Sequence, residues 1–315
     1  MLRKFLRQIS IILSSLNFRK LKFNKKKHDK IQKNILKKLP KFFLKNPRLS
    51  THKNLSNEIL KIIKSRKLDN FLRNAFIQKI FFIHNRIFIF FELRELKKDK
   101  NWNLWKYLLN ENDVGKPIRY FLYPESSGNR IRQVYIIKKF FDFYNYKIDL
   151  KKIKRILEIG GGYGCMADIF SKFQNKINYT IYDMFEVNLL QYYYLKMNKH
   201  NPSFDKINGK LNLINKISDL NEFVKIKNNY IFIANWSISE FPLNFRYKFI
   251  TAIKNSRCSI ISFQENFEGI NNYKFFKKLL KNFKKNYFSK IQPFKYYNNA
   301  FLNENKHYIL TIIKK

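Results

Sequence analysis

At 315 residues, with 64 Lys and Arg against 22 Asp and Glu and a formal net charge of +42, the chain is strongly basic. Its hydrophobic fraction of 45% and 33 Phe still supply a sizeable core, enough for one large domain plus a smaller one. Two cysteines, Cys165 and Cys258, exclude a disulfide framework and set a reducing cytoplasm as the expected compartment.

The charge is uneven. Residues 1–64 hold 19 Lys and Arg against two acids, Asp29 and Glu58, and the run from Lys274 to Lys295 holds eight lysines and no acid. Lys, Asn, Ile, Phe and Tyr are inflated together, as biased coding DNA produces, so the charge is read first as a solvated face. Attraction to RNA, or peripheral contact with anionic lipid at the inner membrane face, follows from the same physics. Phe5 to Leu16 is apolar but carries Arg7 and Gln8 and lacks a small-residue cleavage site, so no secretory signal is expected. No stretch reaches the roughly 18 uncharged apolar residues of a membrane span.

In chain order, residues 1–50 read as a basic, partly helical lead-in punctuated by Pro40 and Pro47. The spacing of Leu55, Ile59, Ile62, Ile63, Leu68, Phe71, Leu72, Phe76 and Ile80 predicts two or three helices over residues 55–97. Residues 80–91 are the most apolar run; His84, Asn85 and Arg86 interrupt it, and it reads as a buried helix. Trp102, Trp105, Tyr107 and Leu108 open another amphipathic piece that ends near Gly115-Lys116-Pro117. Residues 1–117 are therefore expected to form a basic helical region ahead of a second domain over 118–315.

That second domain opens with Tyr123-Pro124-Glu125-Ser126-Ser127-Gly128-Asn129-Arg130, running into a helix whose apolar face is Val134, Ile137, Phe140 and Phe141. Two readings stand side by side. In one, Ser126 or Ser127 caps the helix and the arginines lie in solvent. In the other, Asn129 and Arg130 belong to a lid that touches a bound molecule.

Half of the chain's eight glycines fall in one stretch, Arg155-Ile156-Leu157-Glu158-Ile159-Gly160-Gly161-Gly162-Tyr163-Gly164. An apolar strand-like run stops at the glycines, and Met166, Ala167, Ile169 and Phe170 then give a helical face. Strand, glycine turn and helix bring backbone amides and a helix N-terminus up to a ligand without Cβ obstruction. A dinucleotide fingerprint would place its third glycine at Cys165, and a phosphate loop would need Gly-Lys-Ser/Thr; both fit poorly. Asn178 to Tyr182 reads as the next strand and ends at Asp183, 19 residues past Gly164. A carboxylate there either accepts both hydroxyls of a ribose or caps the helix that follows Met184.

Further strands are expected at Lys210–Ile214, Tyr230–Ala234, Ser259–Phe263 and His307–Ile313, with residues 290–296 as the place for one more. The Tyr230 strand ends in Asn235-Trp236-Ser237-Ile238-Ser239-Glu240, the Ser259 strand in Gln264-Glu265-Asn266.

Glu158-x-Gly160-x-Gly162-x-Gly164 resembles the first motif of class I S-adenosylmethionine-dependent methyltransferases. Together with Tyr182-Asp183-Met184-Phe185-Glu186 and Asn235-Trp236-Ser237-Ile238-Ser239-Glu240, it is similar to sugar O-methyltransferases of bacterial surface-polysaccharide gene clusters. The likeness covers about residues 120–315. Cys165-Met166 and Met184-Phe185 depart from its usual residues. It implies an α/β fold with a Rossmann-like doubly wound sheet, seven-stranded and mostly parallel, with an antiparallel C-terminal strand, preceded by an α-helical N-terminal region. It also implies S-adenosylmethionine as cofactor, held by Glu158, Gly160, Gly161, Gly162, Gly164, Asp183 and Asn235, and a sugar or sugar nucleotide as acceptor.

Methyl transfer to a sugar hydroxyl calls for alignment, exclusion of water and a base for the hydroxyl proton. Glu240, Glu265 and His307 are the candidate bases, since they lie at expected strand ends. Asn129, Arg130, Trp236 and Ser237 are candidate acceptor contacts, although Trp236 suits packing equally well. No pair of carboxylates or histidines at metal-ligand spacing is found, so no metal is expected. Rival readings are an RNA methyltransferase, suggested by the charge, and a non-catalytic scaffold that keeps the fold.

Overall fold

The computed structural model describes residues 24–43, 53–65, 67–81, 88–144, 153–173, 177–204, 207, 209–225, 230–281, 283, 286–294 and 306–315. The apolar run at 5–16, Pro47 and residues 82–87 lie outside the described residues. The chain forms two compact units, each built from separate stretches.

The first unit comprises Met1–Val134, Gly162–Phe173 and Met184–Pro202. It contains α1 (Lys25–Phe43), α2 (Lys53–Lys64), a 3-10 turn (Leu68–Arg73), α3 (Ala75–Ile80), α4 (Phe88–Lys97) and α5 (Trp102–Leu109). A short hairpin, β1 (Arg119–Tyr120) and β2 (Tyr123–Ser127), leads into α6 (Gly128–Tyr144), which belongs to this unit as far as Val134; α7 (Cys165–Phe173) and α8 (Phe185–Met197) complete it. Among the described residues of 55–97, where two or three helices are expected, there are three α-helices and a 3-10 turn. Asn74 explains one break: its Oδ1 accepts from the Phe76 and Ile77 amides and starts α3 afresh. On α1, His28, Ile31, Gln32, Ile35 and Leu39 are buried at helical spacing, whereas Lys25, Lys26, Lys30, Lys33, Lys37 and Lys38 are exposed. His28 Nδ1 lies 2.8 Å from Tyr193 Oη, and Ser56 Oγ donates to Glu186 Oε1 at 2.6 Å, so α1 and α2 both attach to α8.

The second unit comprises Tyr135–Gly161, Gln174–Asp183 and Ser203–Lys315. It carries one sheet of β3 (Arg155–Ile159), β4 (Asn178–Tyr182), β5 (Ser203–Phe204), β6 (Leu211–Ile214), β7 (Tyr230–Asn235), β8 (Cys258–Gln264), β11 (Tyr287–Pro293) and β12 (His307–Lys314). A small ribbon, β9 (Asn266–Phe267) with β10 (Ile270–Asn271), follows β8. The order across the sheet is β11-β12-β8-β7-β3-β4-β6-β5. The six strands from β8 to β5 run parallel, whereas β12 is antiparallel to both of its neighbours. The fold is the α/β doubly wound sheet expected, with a correction: it has eight strands, not seven. The extra one, β5, is a two-residue edge strand after Pro202, too short to show a hydrophobic pattern.

The helices α9 (Ile217–Val224), α10 (Leu243–Asn255) and α11 (Asn272–Lys281) cover one face of this sheet. Leu157, Ile159, Phe232, Ala234, Ile261, Phe263 and Leu310 meet Phe223, Phe249, Ile253, Phe276 and Leu279 there. Because side chains alternate along a strand, Glu158, between Leu157 and Ile159, belongs to the opposite face. The chain leaves β3 toward β4 and β6, then returns through β7 on β3's other side. That reversal makes the carboxyl ends of β3 and β7 the topological switch point of the sheet, the place where doubly wound sheets bind ligands. No helix among the described residues is long and apolar enough to cross a membrane.

Candidate functional site

Within the second unit, the expected residues converge on the carboxyl edge of the sheet. Gly160 leaves β3 at φ +69°, a backbone conformation that glycine tolerates and side-chain-bearing residues resist. Its amide donates to Tyr182 O at 2.9 Å, so the residue after the acceptor, Asp183, stands level with the bend. The Asp183 amide in turn donates to Ile214 O at 3.1 Å. Gly160 and Asp183 are both half-buried. The N-cap of α8 falls on Met184, whose side chain caps nothing, and Asp183 lies one residue outside it.

Glu158 is buried, and its Oε2 accepts from Tyr179 Oη at 2.8 Å. Burial pushes its carboxyl up to about 8; the Tyr179 hydrogen bond opposes this, and the Asp183 charge adds to it. The unfolded chain releases this proton near 4.5, so the stability it contributes is full below that pH and is lost as pH rises through about 8. Glu158→Gln is expected to flatten this fall, measured by urea unfolding of the cofactor-free protein across that range. An unchanged slope would refute the assignment.

Trp236 follows β7 with φ +61°, a left-handed conformation uncommon for any residue other than glycine. Three contacts hold it: its amide donates to Ser262 O at 2.7 Å, its ring stacks on Phe294 at 5.6 Å, and its Nε1 donates to His307 Nδ1 at 2.8 Å. The ring is buried, as packing requires. The reversal at Trp236 places Ser237 against the bend: a Cβ on Gly160 would stand 2.4 Å from Ser237 Cβ. Ser237 Oγ donates to Ile159 O at 2.5 Å. Asn235 Oδ1 accepts from Ser262 Oγ at 2.9 Å.

One 3-10 turn further (Ile238–Glu240), the Glu240 amide donates to Ser237 O at 3.1 Å. Burial raises the Glu240 carboxyl to about 7; a Gln264 hydrogen bond pulls the other way and the Glu268 charge pushes it up. Among the described residues no lysine forms an ion pair with it. Glu265 is fixed through its backbone, donating to Lys306 O and accepting from Asn272, and its Oε1 accepts from Tyr308 Oη at 3.4 Å. His307 is buried, and because Trp236 donates to its Nδ1, the neutral ring carries its proton on Nε2. In that tautomer it has no nitrogen lone pair left to take a proton.

The remaining expected residues fall in the first unit. Gly162 and Gly164 have φ of +55° and +95°. The segment between them is held from two sides: Asn129 Nδ2 donates to Tyr163 Oη at 2.9 Å, and Gln191 Nε2 donates to Gly162 O at 3.0 Å. Tyr163 also meets Phe71 at 6.1 Å and Tyr194 at 4.9 Å, both edge-on. Ser127 caps α6, its Oγ accepting from the Arg130 amide at 3.3 Å. The arginines are not in solvent, which overturns that expectation. Arg130 is fully buried, donating to Asp168 Oδ2 and Leu108 O, both at 2.7 Å; Arg132 pairs with Glu92 at 3.2 Å. Nothing local in the sequence marks Tyr179, Gln191, Asp168 or Gln264; each is a polar residue at a helical or strand position whose partner is far away in the chain. Among the described residues, no three His, Cys, Asp or Glu are grouped to hold a metal ion.

No protein-family model matches the chain, and no curated protein matches it. Solved structures do resemble it at low identity. A candidate S-adenosylmethionine-dependent methyltransferase from Streptococcus mutans shares 15% identity at a TM-score of 0.40, over 56% of this chain and 47% of that one. The arsenic(III) S-adenosylmethionine methyltransferase CrArsM from Chlamydomonas reinhardtii shares 15% at 0.36, over 51% and 64%. The N-terminal domain of human METTL16 in complex with SAH shares 12% at 0.38, over 58% and 70%. This chain thus spans about half the length of the first and under two thirds of the second. At such scores the functional reading rests on this chain's own residues.

Proposed function

We propose that the protein is an S-adenosylmethionine-dependent methyltransferase that methylates a hydroxyl of a sugar or sugar nucleotide. One observation carries the cofactor: the bend at Gly160, bonded to the end of β4 at the switch point of the sheet, with Glu158 and Asp183 at adjacent strand ends. Asp183, half-buried at the end of β4, suits a cofactor that bears an ammonium and a ribose diol, and the absence of a side chain at Gly160 lets Ser237 pack directly behind the bend. When bound, S-adenosylmethionine supplies an electrophilic methyl group.

The chain's residues divide the remaining work. Asp183 accepts from the ribose hydroxyls, Glu158 orders the bend from beneath through Tyr179, and Gly161, Gly162 and Gly164 continue the bend into α7. Asn235, at the end of β7, contributes to the same set. Glu240 takes the acceptor's proton, since a base is most effective with a pKa near the working pH. The Nδ1 of His307 is occupied and Glu265 is tied to Tyr308, which leaves Glu240 as the base. Trp236 and Ser237 shape the turn that carries Glu240, and Asn129 steadies Tyr163.

Calorimetry with S-adenosylmethionine tests this. Wild-type protein is expected to bind it and not NAD, and Asp183→Ala to weaken binding by about 10- to 100-fold, the range for losing a charged hydrogen-bond partner. No binding by the wild type, or equal binding by Asp183→Ala, would remove the proposal. The sugar acceptor rests on the resemblance of the three motifs. The net charge of +42 favours a second acceptor, RNA. Incubation with methyl-labelled cofactor and either sugar nucleotides or transcripts separates them by which one takes the label.

A further inference from the structure

Gln264, the last residue of β8, is buried at 5% exposure beside Glu240, and Ser239 is fully buried beside both. We infer that Gln264 and Ser239 are positioning residues that let Glu240 alternate between its charged and protonated states without leaving its place. This deepens the reading above and rests on Glu240 as the proton acceptor.

The geometry at Ser239 carries the argument. Its Oγ lies 2.8 Å from Trp236 O and 2.9 Å from Gln264 Oε1. A hydroxyl has one proton, so it serves only one of these acceptors at a time. Gln264 Nε2, meanwhile, makes a long contact of 3.4 Å to Glu240 Oε1. Two complete hydrogen-bond arrangements fit the same heavy-atom positions. In the first, Ser239 donates to the Gln264 oxygen and the Gln264 NH2 donates to an ionised Glu240. In the second, Ser239 donates to Trp236 O, the Gln264 amide turns over to donate to Ser239 Oγ, and its oxygen accepts the O–H of a protonated Glu240. An amide is suited to this because its two ends have nearly the same shape and opposite hydrogen-bonding character.

The proton balance closes. With S-adenosylmethionine bound, the methyl group would leave its sulfur, the C–S electron pair staying there as a neutral thioether, and join the acceptor oxygen; the acceptor's proton passes to a Glu240 oxygen, and its loss to water restores the first arrangement. Around the pair, the frame is rigid. Gln264 pairs in register with His307, and its carbonyl accepts from Asn272 Nδ2 at 2.8 Å. Arg246 donates to Ser239 O, Phe241 O and Asn272 Oδ1, each at 2.6 Å. The charged and titratable groups near Glu240 are thus Arg246 on α10, Glu268 between β9 and β10, and Glu265 and His307 at neighbouring strand ends. With Glu240 poised at about 7, both arrangements are populated near neutral pH.

A titration followed by NMR tests this on the full chain with carbon-13-labelled glutamate carboxyls, Glu240→Gln identifying the signal. The wild-type midpoint is expected near 7. In Gln264→Leu, which can neither donate nor accept, the midpoint is expected to rise by about one pH unit, because the bond lost by the charged carboxylate is stronger than the one lost by the neutral acid; a folded variant that titrates at the wild-type midpoint overturns the inference. Should that variant fail to fold, the side-chain amide signal of Gln264 in the wild type decides. It is expected to move with the Glu240 midpoint, and a signal that does not respond overturns the inference. Neither readout needs cofactor or acceptor. Linked titration in a protein that binds no S-adenosylmethionine removes the methyltransferase reading alone, whereas methyl transfer with an unlinked Gln264 removes this inference alone.

Discussion

Gly160→Ala is expected to abolish S-adenosylmethionine binding, with a loss of at least about 100-fold, equivalent to roughly 3 kcal/mol. Two physical effects add. A side chain held at φ +69° costs about 1–2 kcal/mol relative to glycine, and the new Cβ would stand 2.4 Å from Ser237 Cβ. Ser237 cannot step aside, because Trp236 before it is fixed by Ser262, Phe294 and His307, and its own hydroxyl holds Ile159 O. The backbone of the bend must move instead, and with it the amide that bonds to Tyr182 O. Ser237→Gly removes the opposing Cβ, so the double variant separates the two effects. It is expected to recover the part due to the clash and keep the part due to the dihedral, a coupling between touching residues that a double-mutant cycle resolves. Calorimetry measures the affinities, and near-ultraviolet circular dichroism verifies the fold. Undiminished binding by Gly160→Ala would show that the bend is not the cofactor cradle.

What was legible in the sequence follows from locality. A strand that stops at a glycine cluster, and a second strand that ends at Asp183, are written in consecutive residues, and β3, β4, β6, β7, β8 and β12 all lie within a residue or two of expectation. β11 (Tyr287–Pro293) overlaps the stretch 290–296 proposed for it, shifted by three residues. β5 escaped because two residues carry no period. The reading that leaves the arginines in solvent fails because an isolated charge near a helix start is normally solvated, whereas the partner that brings Arg130 inside, Asp168, is 38 residues away. Gln264 reads locally as no more than a strand end; its importance depends on Ser239, 25 residues earlier, and on a pairing with β12 that no local pattern contains. The structure also gives the N-terminal region a task that composition hid: Phe71, in the 3-10 turn, meets Tyr163, Tyr193 and Tyr194, and so packs against the glycine segment Gly162–Gly164.

Asp168→Ala is expected to destabilise the first unit by about 3–5 kcal/mol, because it strands a guanidinium in the interior. Arg130 is fully buried and Asp168 nearly so, at 2.7 Å from each other, and His200 Nε2 meets the other Asp168 oxygen at 2.7 Å. Burial alone would raise the Asp168 carboxyl, but the Arg130 charge and the His200 hydrogen bond overrule it and hold the group well below the usual carboxylate range. A depressed carboxyl contributes stability that is present above its unfolded pKa and lost as pH falls. The gap between wild type and Asp168→Asn, measured by urea unfolding, is therefore expected to narrow between about pH 5 and pH 2. The pair's position gives the loss a functional reach. Asp168 sits in the first turn of α7, its amide bonded to Gly164 O at 3.1 Å, and Arg130 sits in the first turn of α6 beside Asn129, which holds Tyr163. Replacing both charges together, as Arg130→Met with Asp168→Leu, removes the pair without leaving an orphan, and is expected to cost less than Asp168→Ala alone. If the double variant proved as unstable as the single one, the ion pair itself, rather than the avoidance of an unpaired charge, would be what fixes α6 against α7.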